Sequence, residues 1–260
     1  MPERKTTVVT GSSSGIGLGV ATAFVEAGYN VALNARKLTP EVEEILAGLK
    51  AKGEGEVIFA AGDMSDRAQC KSMVEQVVST LGAVDVLVNN AGVQYVAPID
   101  EFPDEKWDQI IAINLSSAFF TTKAALPSMK AKGWGRVINM ASAHGLVASA
   151  YKSAYVASKH GIMGLTKVTA LETAEMGITA NTICPGYVWT PLVAKQIPEQ
   201  AKAHGMSEDQ VVRDVLLSNQ PNKKFATVEE IGSIAVFLAS DGAASITGAT
   251  ISVDGGWTAR

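Results

Sequence analysis

Seven short runs rich in β-branched residues punctuate the chain, at positions 6–9, 30–33, 57–60, 85–88, 136–139, 179–183 and 250–253. Between them lie longer segments, 15–27, 40–52, 66–81, 104–132, 153–176 and 228–239, whose apolar residues recur three and four apart. The first pattern fits strands, and the second fits helices with one apolar face. Their strict alternation favours a parallel sheet, because parallel strands need a long crossover and a helix supplies it. Val86-Leu87-Val88 is apolar without alternation, as a strand covered on both faces should be. These features predict an α/β fold, a doubly wound parallel sheet of about seven strands with helices on both faces.

No linker, repeat or low-complexity stretch divides the 260 residues, so 1–260 reads as one domain. With 47% hydrophobic and 18% charged residues, the chain can bury a sizeable core. Its net charge is −4, and no basic cluster exceeds Lys223-Lys224, which argues against nucleic acid as a partner. Cys70 and Cys184 have no metal-ligand spacing, so no metal is expected and both read as reduced thiols. A signal-peptide pattern and a run of 18 consecutive apolar residues are both missing from the sequence, and a cytoplasmic protein without membrane contact is expected. The segment 190–227 breaks the rhythm: it is polar, carries Pro191, Pro198 and Pro221, and has two helix-like pieces. An insertion of this length is expected to be a substrate lid.

The first strand runs into Gly11-Ser12-Ser13-Ser14-Gly15-Ile16-Gly17, and a helix follows. Glycines let the backbone approach a pyrophosphate, and a helix N-terminus offers free N–H groups and a partial positive charge. This marks a dinucleotide-binding domain of the Rossmann type, although the spacing G-x-x-x-G-x-G differs from G-x-G-x-x-G. An acidic residue after strand two would bind a ribose 2′-hydroxyl and favour NAD. Here the segment is Leu33-Asn34-Ala35-Arg36-Lys37, and Arg36 leans locally toward the 2′-phosphate of NADP.

Strand four ends in Asn89-Asn90-Ala91-Gly92, a small turn where ligands of doubly wound sheets bind. Strand five runs into Ser142 and His144, and Tyr155 and Lys159 follow four apart, on one face of a helix. A phenol beside an ammonium suits proton transfer. Lowering a tyrosine from about 10 to near neutrality takes about 4 kcal/mol, within reach of Lys159 and an oxidised nicotinamide acting together.

Taken in order, TGSSSGIG, NNAG, Ser142, Tyr155-x-x-x-Lys159 and Pro185-Gly186 resemble the short-chain dehydrogenase/reductase family over essentially the whole chain. The resemblance implies hydride transfer between a nicotinamide and a carbinol or ketone carbon, by a tetrad of Asn114, Ser142, Tyr155 and Lys159. It accounts for Asn114 in mid-helix, a poor helix former, by a kink that supports a proton-relay water. It also places Gly11, Ser13, Ser14, Gly15, Ile16 and Gly17 at the pyrophosphate, and Asp63 and Met64 at the adenine. Asn90, Ala91 and Gly92 fall near the ribose, and Pro185, Gly186, Val188 and Thr190 near the nicotinamide.

SAHGLVASAYKSAYVASKHG, TPLVAKQI and SVDGGWTAR further resemble the D-3-hydroxybutyrate dehydrogenases of bacteria. That subfamily implies NAD, and a 3-hydroxy acid whose carboxylate is held by Gln94, His144, Lys152 and Gln196. A small anion needs such a cation and neutral donors. Tyr187 and Trp257 would wall the pocket for its methyl group. Tyr187 stands where the subfamily has Trp, and Trp189 where it has a basic residue, which leaves room for a longer acid. An NADPH-dependent reductase of 3-oxoacyl thioesters is the alternative that Arg36 supports. A nucleotide-sensing scaffold is the non-enzymatic one, opposed by the presence of Tyr155 and Lys159. In the family, the helices at 104–132 and 153–176 pair subunits, and the terminus GGWTAR sits at another interface, so a homotetramer is expected.

Overall fold

The computed structural model describes residues 4–259; the extreme N-terminus and the terminal Arg260 of the expected interface lie outside them. Seven strands, β1 (Thr6–Val9), β2 (Asn30–Ala35), β3 (Val57–Ala61), β4 (Val86–Asn89), β5 (Gly135–Met140), β6 (Ile178–Pro185) and β7 (Thr250–Val253), form one sheet. Their order is β3-β2-β1-β4-β5-β6-β7, and every pairing is parallel. The expected fold class is therefore present.

Successive strand residues feed opposite faces. Val9, Leu33, Val88 and Ile138 pack with Val20, Phe24, Ile231 and Leu238 on one side. Val8, Ala32, Leu87 and Val137 pack with Met73, Val77 and Met129 on the other. The helices supplying these layers are α1 (Gly15–Glu26), α2 (Pro40–Lys50), α3 (Arg67–Leu81), α4 (Asp104–Ile111), α5 (Ser117–Lys132), α6 (Ser153–Thr173), α7 (Pro191–His204), α8 (Glu208–Gln210) and α9 (Val228–Ala239). Side chains cap five of these nine starts: Thr39 for α2, Asp66 for α3, Thr190 for α7 and the capping boxes Ser207/Gln210 for α8 and Thr227/Glu230 for α9. At α1 the Ser14 side chain makes no such bond.

The expected helix 104–132 is interrupted by a π-helical turn, Ala112–Ser116, which contains Asn114. The span Asp104–Lys132 reaches a mean hydropathy of 1.2 and is long enough to cross a bilayer. It nevertheless carries Asn114, Ser117, Thr121 and Thr122 buried against the protein. Thr121 donates to Asn89 of β4, and Asn139 of β5 donates to Thr166 of α6, polar ties that belong to a helix packed on a sheet.

Candidate active site

The chain leaves β1 for one side of the sheet and returns to β4 on the other, so a crevice opens between the ends of these neighbouring strands. A cleft of about 910 Å³ occupies it. One end is lined by Ser14, Gly15, Ile16 and Gly17 with Asn90 and Gly92, and the other by Ser142, His144, Lys152, Tyr155 and Trp257. Lys159, Gly186, Val188 and Thr190 lie between, and Gln94, Tyr187 and Gln196 complete the wall. Among the described residues no Asp or Glu lines this cleft, which holds the ammonium groups of Lys152 and Lys159.

The glycine turn is held from below. Asn34 is 1% exposed; its side chain accepts from Gly11 N at 2.9 Å and donates to the carbonyls of Ala60 and Gly62. Ser12 donates to Val9 O at 2.7 Å and accepts from Asn34 N. Asn90 donates to the carbonyls of Thr10 and Gly11. A Cβ at Gly17 would collide with that Asn90 amide and with Gly11 O, so α1 starts where only glycine fits. Uncapped first-turn amides at such a close approach fit a dinucleotide pyrophosphate. Asn34 and Ser12 were not singled out from the sequence; a polar Asn ending an apolar strand was the available signal.

Arg36, Asp63 and Met64 sit beyond this turn, outside the cleft lining. Arg36 is exposed. Asp63 accepts from Ser65 N and Oγ, which holds its carboxyl below the ordinary value, with a smaller effect from Arg36. The Met64 side chain is buried beside Cys70. Gly11, Ser13, Ala91 and Pro185 also lie outside the lining.

Asn114 is 2% exposed. Its amide clasps the backbone of Val93, accepting from the N–H at 2.8 Å and donating to the carbonyl at 2.9 Å, and reaches Ser158 Oγ at 3.4 Å. The expected kink is this π turn, which points the amide across rather than along the helix. Ser142 starts a short 3-10 turn, Ala143–Gly145, accepting from His144 N at 3.2 Å. Tyr155 and Lys159 share one face of α6, with Lys159 Nζ 5.6 Å from the phenol ring centroid.

Burial pushes the Tyr155 phenol up, and the Ser142 hydroxyl pulls it the other way. The lowering expected from sequence is thus not supplied by the protein groups alone. Lys159 bonds Met140 O at 2.7 Å, and burial pushes its ammonium down to about 8. Burial, then Lys152 and His160, push His144 down to about 4, so its ring is neutral near pH 7. Its Nε2 lies 2.7 Å from Ser149 Oγ. Burial also pushes Cys184, beneath the site, up to about 11.

Aromatic rings wall the inner end. Tyr187 stacks on Trp257 with centroids 6.1 Å apart and planes 8° apart. His144 meets Trp257 edge-on at 5.0 Å and Tyr155 at 5.8 Å. Two further side chains missed from sequence hold this wall, Gln220 at Tyr187 N and Asp254 in the turn before Trp257.

A family model described as short chain dehydrogenase matches residues 5–201. The chain belongs to this family. It is 55% identical over 256 residues, 98% of this chain and 99% of the relative, to a D-beta-hydroxybutyrate dehydrogenase of Rhizobium meliloti (strain 1021). It is 52% identical to a protein of the same name from Cupriavidus necator, over 98% of each chain. A 3-oxoacyl-(acyl-carrier-protein) reductase of Staphylococcus epidermidis is 36% identical, over 97% of this chain and 98% of its own. The short-chain dehydrogenase described above is accordingly an oxidoreductase that uses a nicotinamide cofactor.

Proposed function

We propose that the protein oxidises (R)-3-hydroxybutyrate to acetoacetate, reversibly, with NAD. The observation that carries this reading is the cleft's charge: beside Ser142 and Tyr155, Lys152 lines a space with Gln94, His144 and Gln196, and no carboxylate among the described residues lines it. A neutral substrate would leave that half-buried cation uncompensated. The names of the two relatives above half identity agree with it.

Lys152 holds the substrate carboxylate, with the amides of Gln94 and Gln196 as further donors, and the neutral ring of His144 lines the same end. Ser149 at His144 Nε2 fixes the ring's orientation. Ser142 Oγ and the Tyr155 oxygen hold the reacting hydroxyl, and Trp257 and Tyr187 enclose its methyl group. A bound nicotinamide supplies the hydride acceptor and a positive charge. Lys159 would act together with that positive charge against the burial that keeps the phenol protonated, and Tyr155 takes the substrate proton. Asn114 holds the Val93 backbone beside Lys159, where a water relays that proton outward. Segment 190–227 covers the cleft through Thr190, which caps α7, and Gln196 on α7.

NAD rather than NADP is proposed on the resemblance of the sequence to bacterial 3-hydroxybutyrate dehydrogenases; Arg36 is exposed, outside the cleft lining. The competing NADPH-dependent thioester reductase is favoured by that same accessible guanidinium. A homotetramer is supported by the large apolar side chains left exposed on α4, α5 and α6, with Trp107 at 41%, Phe119 at 47%, Val168 at 52% and Leu171 at 81%. The cytoplasm is the proposed compartment, in keeping with two buried free thiols.

Initial rates with (R)-3-hydroxybutyrate, measured in parallel with NAD and NADP, test the reading. Turnover with NAD and little with NADP is expected. Turnover with NADP alone reassigns Arg36 to the 2′-phosphate. No turnover with either, from protein that binds nucleotide, removes the substrate assignment. A monomer in light scattering removes the tetramer.

A further inference from the structure

The stacked pair Tyr187 and Trp257 comes from two distant stretches, the exit of β6 and the C-terminal turn, and neither ring has a regular element to hold it. What holds both is a single loop, the return leg of the 190–227 segment. Gln220, at its start, is 1% exposed. Its Oε1 accepts from Tyr187 N, and its Nε2 donates to Lys224 O at 2.7 Å. The other side of Tyr187 is pinned by the same loop, because Ala226 N donates to Tyr187 O at 3.0 Å. Asn222 N donates to Gly255 O at 3.2 Å, next to Trp257. Asp254 completes the turn, accepting from Gly256 N at 3.0 Å and Thr258 N at 2.9 Å. The packing is close: a Cβ at Gly186 would meet Gln220 Oε1 and would lie 2.9 Å from Asp254 Cα.

We infer that Gln220 is a positioning residue that sets substrate length, by locking Tyr187 against Trp257 at the far wall of the cleft. The inference rests on the wall facing the substrate's alkyl end, as proposed above. The amide is suited to this role because both its ends are used. The oxygen satisfies a backbone N–H that the bend after β6 leaves without a sheet partner, and the NH₂ closes the loop on itself. An apolar side chain of the same size leaves a buried N–H and a buried carbonyl unpaired. Tyr187 then shifts, and the wall no longer discriminates by chain length.

The test compares kcat and KM of wild type, Gln220→Leu and Gln220→Glu for (R)-3-hydroxybutyrate and (R)-3-hydroxyhexanoate. For Gln220→Leu, the preference for the four-carbon acid is expected to fall about tenfold, through KM rather than kcat, with the KM for NAD unchanged. Gln220→Glu is the rescue. When neutral it accepts from Tyr187 N and donates to Lys224 O as the amide does. Burial raises a carboxyl, so this variant should match wild type at pH 6 and approach the Leu variant near pH 9. An unchanged preference in both variants, with only a lower Tm, overturns the inference and leaves a structural latch. If wild type does not oxidise 3-hydroxybutyrate, the functional reading fails by itself. The near-UV circular dichroism of Trp257, taken as the difference from Trp257→Phe, then decides. Loss of that signal in Gln220→Leu sustains the lock, and full retention overturns it. The Glu variant also serves if the Leu variant does not fold.

Discussion

The ammonium of Lys159 donates to the carbonyl oxygen of Met140 at 2.7 Å, while the side chain is 4% exposed. One carbonyl is thin compensation for a buried charge, and burial pushes the group down to about 8. A buried lysine that costs stability is what a functional site retains.

Replacing Lys159 by Met should therefore separate function from folding. Turnover is expected to fall at least about 100-fold. The Tm at pH 7 should hold or rise, because the penalty of about 3 kcal/mol for charging the buried amine disappears. The sign follows from proton binding. Between about 8 and 10.5 the unfolded chain binds the proton and the folded one does not, so wild-type stability gains from this group as pH rises through that window. A Tm several degrees lower in the Met variant would show that the bond to Met140 outweighs the desolvation.

Lys152 lines the cleft half-buried, and burial pushes its ammonium down. Lys152→Ala should raise KM for the hydroxy acid about 10- to 100-fold, the worth of one charge-assisted bond, with kcat much less affected. Thermal stability should not fall. Unchanged KM would remove the carboxylate role.

His144 carries the clearest pH signature. Its folded value of about 4 lies below the ordinary 6.5, so the unfolded state binds the proton first. The stability it contributes is complete above about 6.5 and is lost as pH falls through about 4, up to about 3 kcal/mol. Urea unfolding at pH 7 and pH 4.5 should show this loss in wild type and a flatter dependence in His144→Asn. Equal slopes in the two proteins would sink the assignment.

Gly17→Ala places a methyl group against the Asn90 amide and Gly11 O. Destabilisation of about 1–3 kcal/mol is expected. The KM for the nucleotide should rise more than the KM for the hydroxy acid. An Ala variant with wild-type Tm and nucleotide KM would contradict the tight cradle.

Much of the lining of the candidate cleft was legible in the sequence. The turn Gly11 to Gly17, Asn90, Ser142, Tyr155 and Lys159 could be read because each is tied to a local signal: a strand end, a helix start or a four-residue spacing. The cleft brings most of these together with Lys152, His144 and Gln94. Less was visible at Arg36, Asp63 and Met64, which border the cleft without lining it. The burial that pushes the Tyr155 phenol up also escaped, because it depends on how deeply α6 is buried rather than on its neighbours in sequence.

The sequence by itself determined the period of each element, the glycine turn and the order in which chemical groups arrive along the chain. These are local properties, written in residues two, three or four apart. Tertiary structure alone decided the strand order, the π turn that turns Asn114 onto Val93, the hold of Asn34 on Gly11, and the lock of Gln220 on Tyr187 across 33 residues. Such contacts carry no periodic trace. A buried amide becomes a partner only when packing brings a particular backbone group to it and removes the water that would otherwise bind both.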